Sequence, residues 1–186
     1  MTETSLLDAS VRPGETVLDR DPAEADDARL CFIGRVRSAH VTRETCPKNL
    51  RAARDGGLPA TLEIAAAFRP ALDGLVVGQP IHLLTWLHGA RRDLALQTPR
   101  HSAGASGTFA LRSPVRPNPI GLHLVRITAL APAAGLVGID AIDVLDNTPL
   151  LDIKPYFDSV DVPPPVNDLA QPKSKLAGPT SKLAAT

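Results

Sequence analysis

A mostly β, single-domain, barrel-like fold with short helices is what this 186-residue chain predicts, and three observations predict it. Its apolar residues fall in short runs of strand length between turn formers, with no long segment keeping a 3.6-residue period. Strand and helix patterns do not alternate, and no GxGxxG follows a strand, which argues against a doubly wound nucleotide-binding sheet. The hydrophobic content of 44% is enough to bury a core of ordinary domain size.

In chain order, strands are predicted over residues 30–36, 60–68, 81–87, 107–111, 122–130 and 136–142. The fifth contains HLVRITAL, a near-alternation with the β-branched Val125, Ile127 and Thr128. Short helical turns are predicted over 49–54 and 70–75, leaving an antiparallel sheet or barrel with minor helix. The acidic, Pro- and Gly-punctuated residues 1–28 lack periodicity, and residues 162–186 are rich in Pro, Ser, Lys and Ala. Both ends read as flexible flanks of a domain over 29–161. Ser181, Lys182 and Leu183 would spell a peroxisomal address only at a chain terminus, and Ala184, Ala185 and Thr186 follow them.

The net charge of zero hides a division along the chain. Residues 1–28 hold eight Asp/Glu against two Arg, 29–126 hold fourteen Lys/Arg against five acids, and 127–186 hold seven acids against four Lys. The basic middle predicts contact with a polyanion such as RNA, a solvated basic face being the alternative. No run approaches the roughly 18 apolar residues of a membrane span, and the first residues lack the pattern of a signal peptide, so a cytoplasmic protein is expected. Cys31 and Cys46 form no CxxC and have no paired histidines, so free thiols and no metal site are expected.

Four segments carry chemistry. GTFALRSPVRPNPIG, residues 107–121, holds Pro114, Pro117 and Pro119, which fix φ and remove amide donors, so Arg112, Arg116 and Asn118 project from a stiff loop suited to an anionic or nucleotide-like ligand. CPKN presents Lys48 and Asn49 beside Pro47, a cation and an amide able to meet a carboxylate or ribose, or simply a polar turn before a helix. WLHGARRD offers Trp86 for stacking and His88 at a strand end, where a structural histidine is the plainer reading. In residues 138–158, DNTP is a turn former, so Asp146 and Asn147 read as structural. Asp143 instead closes an apolar run as a potential acceptor, and Lys154 and Tyr156 add a cation and an aromatic face.

FIGRVRS, CPKN, the WLH run, GTFALRSPVRPNPIGLHLVRI and DNTPLLDIKPY, taken in order, resemble the TsaA/TrmO (YaeB-like) family over about residues 30–161. The resemblance implies a β-barrel methyltransferase unlike the Rossmann ones, homodimeric, with S-adenosyl-L-methionine near the subunit interface. It implies N6-methylation of N6-threonylcarbamoyladenosine, immediately 3′ of the tRNA anticodon. Carried over by motif, the cofactor contacts are Lys48, Asn49, Leu50, Leu87, His88, Arg112, Leu122, Asp140, Ala141, Ile142 and Asp143. Two positions depart from the family pattern: Lys48 and Asn49 stand where many members carry Arg and Gln, and DNTP replaces DGTP.

The expected mechanism is direct in-line methyl transfer, with Asn118 or the neighbouring proline carbonyls accepting the N6 hydrogen and Asp143 as the rival acceptor. Arg116, Lys154 and Tyr156 are the candidate tRNA contacts, with Arg35, Arg37, Arg51, Arg91 and Arg92 as further phosphate contacts. The alternatives are a regulatory module that binds S-adenosyl-L-methionine or RNA without turnover, and a methyltransferase with another substrate.

Overall fold

A computed structural model describes residues 11–99 and 104–165. They fall in two compact units divided between Tyr156 and Phe157. The first unit carries strands β1 (Thr16–Val17), β2 (Gly34–Arg37), β3 (Ala60–Ile64), β4 (Pro80–Trp86), β5 (Leu94–Gln97), β6 (Ser106–Gly107), β7 (Ile120–Ala131), β8 (Leu136–Ile139) and β9 (Pro149–Pro155), with helix α1 (Leu50–Asp55). The second holds the short helix α2 (Asp158–Asp161), where the Asp161 carboxylate accepts the Phe157 N–H at 2.8 Å.

Six strands close into a barrel in the order β2-β3-β8-β7-β4-β9, every pairing antiparallel, and β1-β5-β6 form a separate small sheet. Alternation explains the closure. Ala60, Leu62 and Ile64 of β3, Ile81 and Leu83 of β4, Val125 and Ile127 of β7 and Val137 and Ile139 of β8 all point into one core, joined by Val36 and Leu150. Each of these Val, Leu and Ile side chains contributes about 1.5–3 kcal/mol on burial.

The predicted β class stands, with local corrections. The strand expected over 107–111 ends at Gly107, and a 3-10 turn follows over Thr108–Ala110. The reason is Thr108, whose buried hydroxyl donates to the Leu94 carbonyl at 2.6 Å and accepts from Gln97 at 2.8 Å, which turns the chain. The strand expected over 60–68 stops at Ile64, and the helical turn expected over 70–75 lies earlier, at Ala66–Leu72. Sequence reading missed β9, whose Asp152 and two prolines disguise it; the prolines stand at its ends, where a missing amide is tolerated.

The helix expected over 49–54 forms as α1, capped by the Asn49 side chain, which accepts the Ala52 N–H at 2.9 Å. Within the acidic stretch 1–28, Thr16 and Val17 pair with Leu96 and Leu94 of β5. Residues 1–10 and 166–186, including the tripeptide at 181–183 and nearly all of the flank read from 162, lie outside the described residues.

Candidate functional site

Strand β7 is shared. It pairs with β4 over Ile120 to Arg126 and with β8 only from Ile127 onward. Where β8 ends, the chain runs on beside the vacated β7 edge: the Asp140 N–H donates to the Arg126 carbonyl at 3.0 Å, and the Asp140 carboxylate accepts the Arg126 N–H at 2.8 Å. Two arginines take edge carbonyls that a neighbouring strand would otherwise satisfy. Arg54 of α1 donates to Leu124 O at 2.5 Å and to the Asp140 carboxylate at 3.1 Å, and Arg112 donates to Leu122 O at 3.2 Å. This stitching brings α1 with Lys48, Asn49 and Leu50 to the same edge as Leu122 and the segment from Asp140 to Asp143.

Ala141 and Ile142 are buried and anchor that segment in the core, while Asp143 is partly exposed. Inside the barrel the His123 ring bridges two partners, with Nδ1 2.7 Å from Asp143 Oδ1 and Nε2 2.9 Å from Thr85 Oγ1. Burial, and then the Asp143 charge, push the Cys46 thiol up. Sequence reading missed His123 and Thr85. Their signal was faint: a histidine on the inward side of an alternating strand, opposite a strand-borne threonine.

The proline-rich loop is stiff because side chains grip its carbonyls. Gln97 donates to Val115 O at 2.7 Å, and Arg116 Nη1 donates to Leu111 O and Ser113 O at 3.0 and 3.1 Å. Arg92 donates to both Pro117 O and Pro22 O at 2.6 Å while lying 5.4 Å from the Trp86 ring centroid. Pro119 is buried and its carbonyl accepts the Leu87 N–H at 2.8 Å, so Leu87 and the exposed His88 sit against the loop end. The Gly89 carbonyl that follows accepts from Arg43 at 2.9 Å, tying this turn to the segment before CPKN. Asn118 is exposed, and its side-chain amide bonds to no described residue.

Other expected contacts lie elsewhere. Lys154 pairs with Asp152 at 2.8 Å, and the Tyr156 ring packs against His82 at 5.6 Å. They stand opposite His82 and Pro80, three to five residues from Thr85 along β4, or about 10–17 Å at the usual strand rise. Of the six arginines read as phosphate contacts, five are bonded within the protein: Arg35 to Glu63 at 2.6 Å, Arg37 to Asp146 at 3.3 Å and to Asn147, Arg91 to Asp93 at 2.8 Å, and Arg92 and Arg116 to the loop. Arg51 is exposed on α1 and bonds to no described residue.

The DNTP turn is structural, as read: Asp146 accepts the Ser38 N–H at 3.0 Å, and Asn147 sits at φ 63°, the left-handed region that glycine or asparagine enters most readily. That explains why Asn can stand where DGTP places Gly. Among the described residues no group of three or more His, Cys, Asp or Glu could hold a metal ion, and no helix is long and apolar enough to cross a membrane.

Residues 35–162 match the family of the tRNA-methyltransferase O N-terminal domain, TrmO_N. The chain belongs to the TrmO family. It is 38% identical over 132 residues to "Probable S-adenosyl-L-methionine-binding protein VirR" of Rhizobium radiobacter, covering 71% of this chain and 73% of that one. The mouse protein named tRNA (adenine(37)-N6)-methyltransferase is 43% identical over 68 residues, 37% of this chain and 15% of the mouse protein. A crystal structure of TrmO from Pseudomonas aeruginosa superposes with a TM-score of 0.57 at 34% identity, over 73% of this chain and 58% of that one. The chain thus spans less than two thirds of the solved TrmO.

Proposed function

We propose that this chain is an S-adenosyl-L-methionine-dependent methyltransferase that modifies N6 of the threonylcarbamoylated adenosine beside the tRNA anticodon. The observation that carries the reading is that, in a TrmO-family barrel, α1, the Asp140 segment and Arg112 of the proline loop are bonded together at the vacated edge of β7, with the Leu87–His88 turn bonded to the end of that loop. The donor set suits the cofactor: Asp140 and Asp143 can accept from ribose hydroxyls or an ammonium, Lys48 can face a carboxylate, and Leu87 and Leu122 offer apolar surface to a purine. When bound, the cofactor supplies an electrophilic methyl on a sulfonium. The chain's own contribution is placement, since a stiff loop and a fixed segment hold acceptors without reorganisation. Asn118, exposed between two prolines, is assigned to accept a hydrogen bond from N6–H and so orient the nitrogen, with Asp143 as the alternative acceptor and the group able to take the proton released.

Arg51 and Arg116 are assigned to the tRNA backbone, and Lys154 and Tyr156 to a more distant part of the same substrate, in the cytoplasm where tRNA is modified. A homodimer is part of the reading: Ile120, Leu122 and Leu124 are 38–49% exposed on the outer face of β7, which a second copy would cover beside the cofactor site. The domain over 29–161 is assigned the chemistry, and part of the stretch read as its acidic flank packs with it: Thr16 and Val17 pair with β5, and Arg92 holds Pro22 O.

The deciding experiment follows methyl incorporation from labelled S-adenosyl-L-methionine into tRNA with and without the threonylcarbamoyl group, then identifies the nucleoside by mass. Incorporation only into the modified tRNA is expected. Cofactor binding with no incorporation into either would favour the regulatory-module reading, and full turnover by Asn118→Ala would remove the loop from the chemistry.

A further inference from the structure

His123 occupies a place that a hydrophobic residue would fill at lower cost. It is 5% exposed, and Thr85 opposite is fully buried. A buried imidazole is tolerated only when both nitrogens are satisfied, and both are. An ionised Asp143 can only accept, so the network assigns the proton to Nδ1, which donates to Oδ1; Nε2 then accepts from the Thr85 hydroxyl. The ring cannot retreat. Gly121 packs so closely that a Cβ there would lie 2.5 Å from Nε2 and 2.4 Å from Thr85 Oγ1. On the other side, Asp143 stands between the buried Ile142 and Val144, so its backbone is fixed as well. One carboxylate oxygen is thereby committed inward, and the second remains as the acceptor for whatever reaches this partly exposed group.

We propose that His123 is a positioning residue: through its Nδ1 hydrogen bond it sets the orientation of the Asp143 carboxylate toward the bound methyl donor. The inference rests on the methyl-donor reading of the site given above. Thr85 holds the ring and Gly121 makes room for it, so the unit consists of four residues drawn from β4, β7 and the segment after β8.

The test exploits side-chain geometry. An asparagine amide nitrogen falls near the position of Nδ1 and a glutamine amide nitrogen near that of Nε2, so His123→Asn keeps the donor to Asp143 and His123→Gln does not. Affinity for S-adenosylhomocysteine is measured by calorimetry, with thermal melting to confirm folding. His123→Asn should stay within about threefold of wild type and His123→Gln should weaken roughly tenfold or more, the range for a lost charge-assisted bond. Glutamine binding as well as or better than asparagine would overturn the proposal, because a volume-filling role favours the residue closer in size to histidine.

Thr85→Val removes the hydroxyl that holds the ring but spares the Nδ1 bond, so it should weaken binding less than His123→Gln does; a larger loss than that of His123→Gln would count against the proposal. Independently of any donor, nitrogen-labelled histidine spectra of the ligand-free protein should show His123 protonated at Nδ1, with the signal altered in Asp143→Ala. A ring protonated at Nε2 alone would overturn the assignment even if the donor reading holds. Failure of wild type to bind the donor analogue, with the Nδ1 signature present, would remove that reading and leave the His123 to Asp143 geometry standing.

Discussion

Replacing Gly121 by alanine probes the joint between β4 and β7 where the site is anchored. Its Cβ would stand 2.4 Å from Thr85 Oγ1 and 2.5 Å from His123 Nε2, about 1 Å inside ordinary contact. Thr85 faces Gly121 directly in the ladder, so its backbone cannot withdraw, and turning its side chain away breaks the 2.9 Å bond to His123. Overpacking costs about 1–3 kcal/mol, and leaving a buried polar atom unsatisfied costs another 1–3. The expected loss is therefore about 2–6 kcal/mol, a large share of the 5–15 kcal/mol typical of a folded domain. Urea unfolding followed by circular dichroism measures it. Gly107→Ala, whose Cβ would meet nothing within 4 Å, is the control and should stay within about 0.5 kcal/mol. Adding Thr85→Ala removes the nearest obstruction, so the double mutant should lose less than the sum of the two single losses by about 0.5 kcal/mol or more. A Gly121→Ala loss under about 0.5 kcal/mol, or strict additivity in the double mutant, would refute the claim that this joint is fixed.

Three further outcomes are expected. Arg92→Lys should lower kcat/KM by roughly tenfold and speed proteolysis before β2, because a single ammonium cannot bridge Pro117 O and Pro22 O while covering Trp86; unchanged kinetics would mean the loop is stiff without it. The Arg91 side-chain hydrogen bond holds the Asp93 carboxyl below its usual range, so its stabilisation, up to about 1 kcal/mol, is present above the ordinary carboxylate pKa and lost as pH falls through the depressed one. Thermal melts of wild type and Asp93→Asn should accordingly differ at neutral pH and converge in acid, and a gap that persists below about pH 3 would contradict the pairing. At pH 8, iodoacetamide should label exposed Cys31 faster than half-buried Cys46, whose thiol is pushed up by burial and by Asp143; equal rates by mass spectrometry would separate Cys46 from that carboxylate.

The barrel was legible because β3, β4 and β8 alternate or run apolar over strand lengths, and because α1 announces itself with an asparagine cap. The inside of β7 was harder to read. Hydropathy would bury Leu122 and Leu124, yet both face outward and His123 faces in, since strand period fixes which residues share a face but not which face is the core. β9 was obscured because Asp152 and the prolines lower its local strand propensity, which tertiary pairing with β4 and β2 overrides. Around the candidate site, hydrogen bonds join some of the segments that carry the motif residues: Arg54 of α1 bonds Asp140, Arg112 bonds Leu122 O, and the Leu87 N–H bonds Pro119 O. Lys154 and Tyr156 do not join them, because proximity in sequence to Asp143 says nothing about a strand that then runs away along β4. Thr85 has no motif of its own, and only the ladder reveals that it faces Gly121 and reaches His123.

The arginine surplus of the middle region has a second physical cause beside attraction to a polyanion. Among the described residues, Arg43, Arg54, Arg69, Arg92, Arg112, Arg116 and Arg126 each donate to backbone carbonyls. A site assembled from a vacated strand edge, a proline loop and short 3-10 turns leaves many such carbonyls without a ladder partner. Each one left unsatisfied in a buried setting costs about 1–3 kcal/mol. Guanidinium, with five donors on a long stem, satisfies two carbonyls through two different nitrogens, as Arg92 does with Nε and Nη2, and lysine does not match that fork. Positive charge and site architecture are therefore linked in the same side chains. Neutralising these arginines removes a structural clamp together with any phosphate contact, so a fall in RNA affinity at such a position does not distinguish the two roles. Arg51, exposed and bonded to no described residue, separates them: a change in the salt dependence of tRNA binding at Arg51→Ala, with melting temperature unchanged, reports phosphate contact alone.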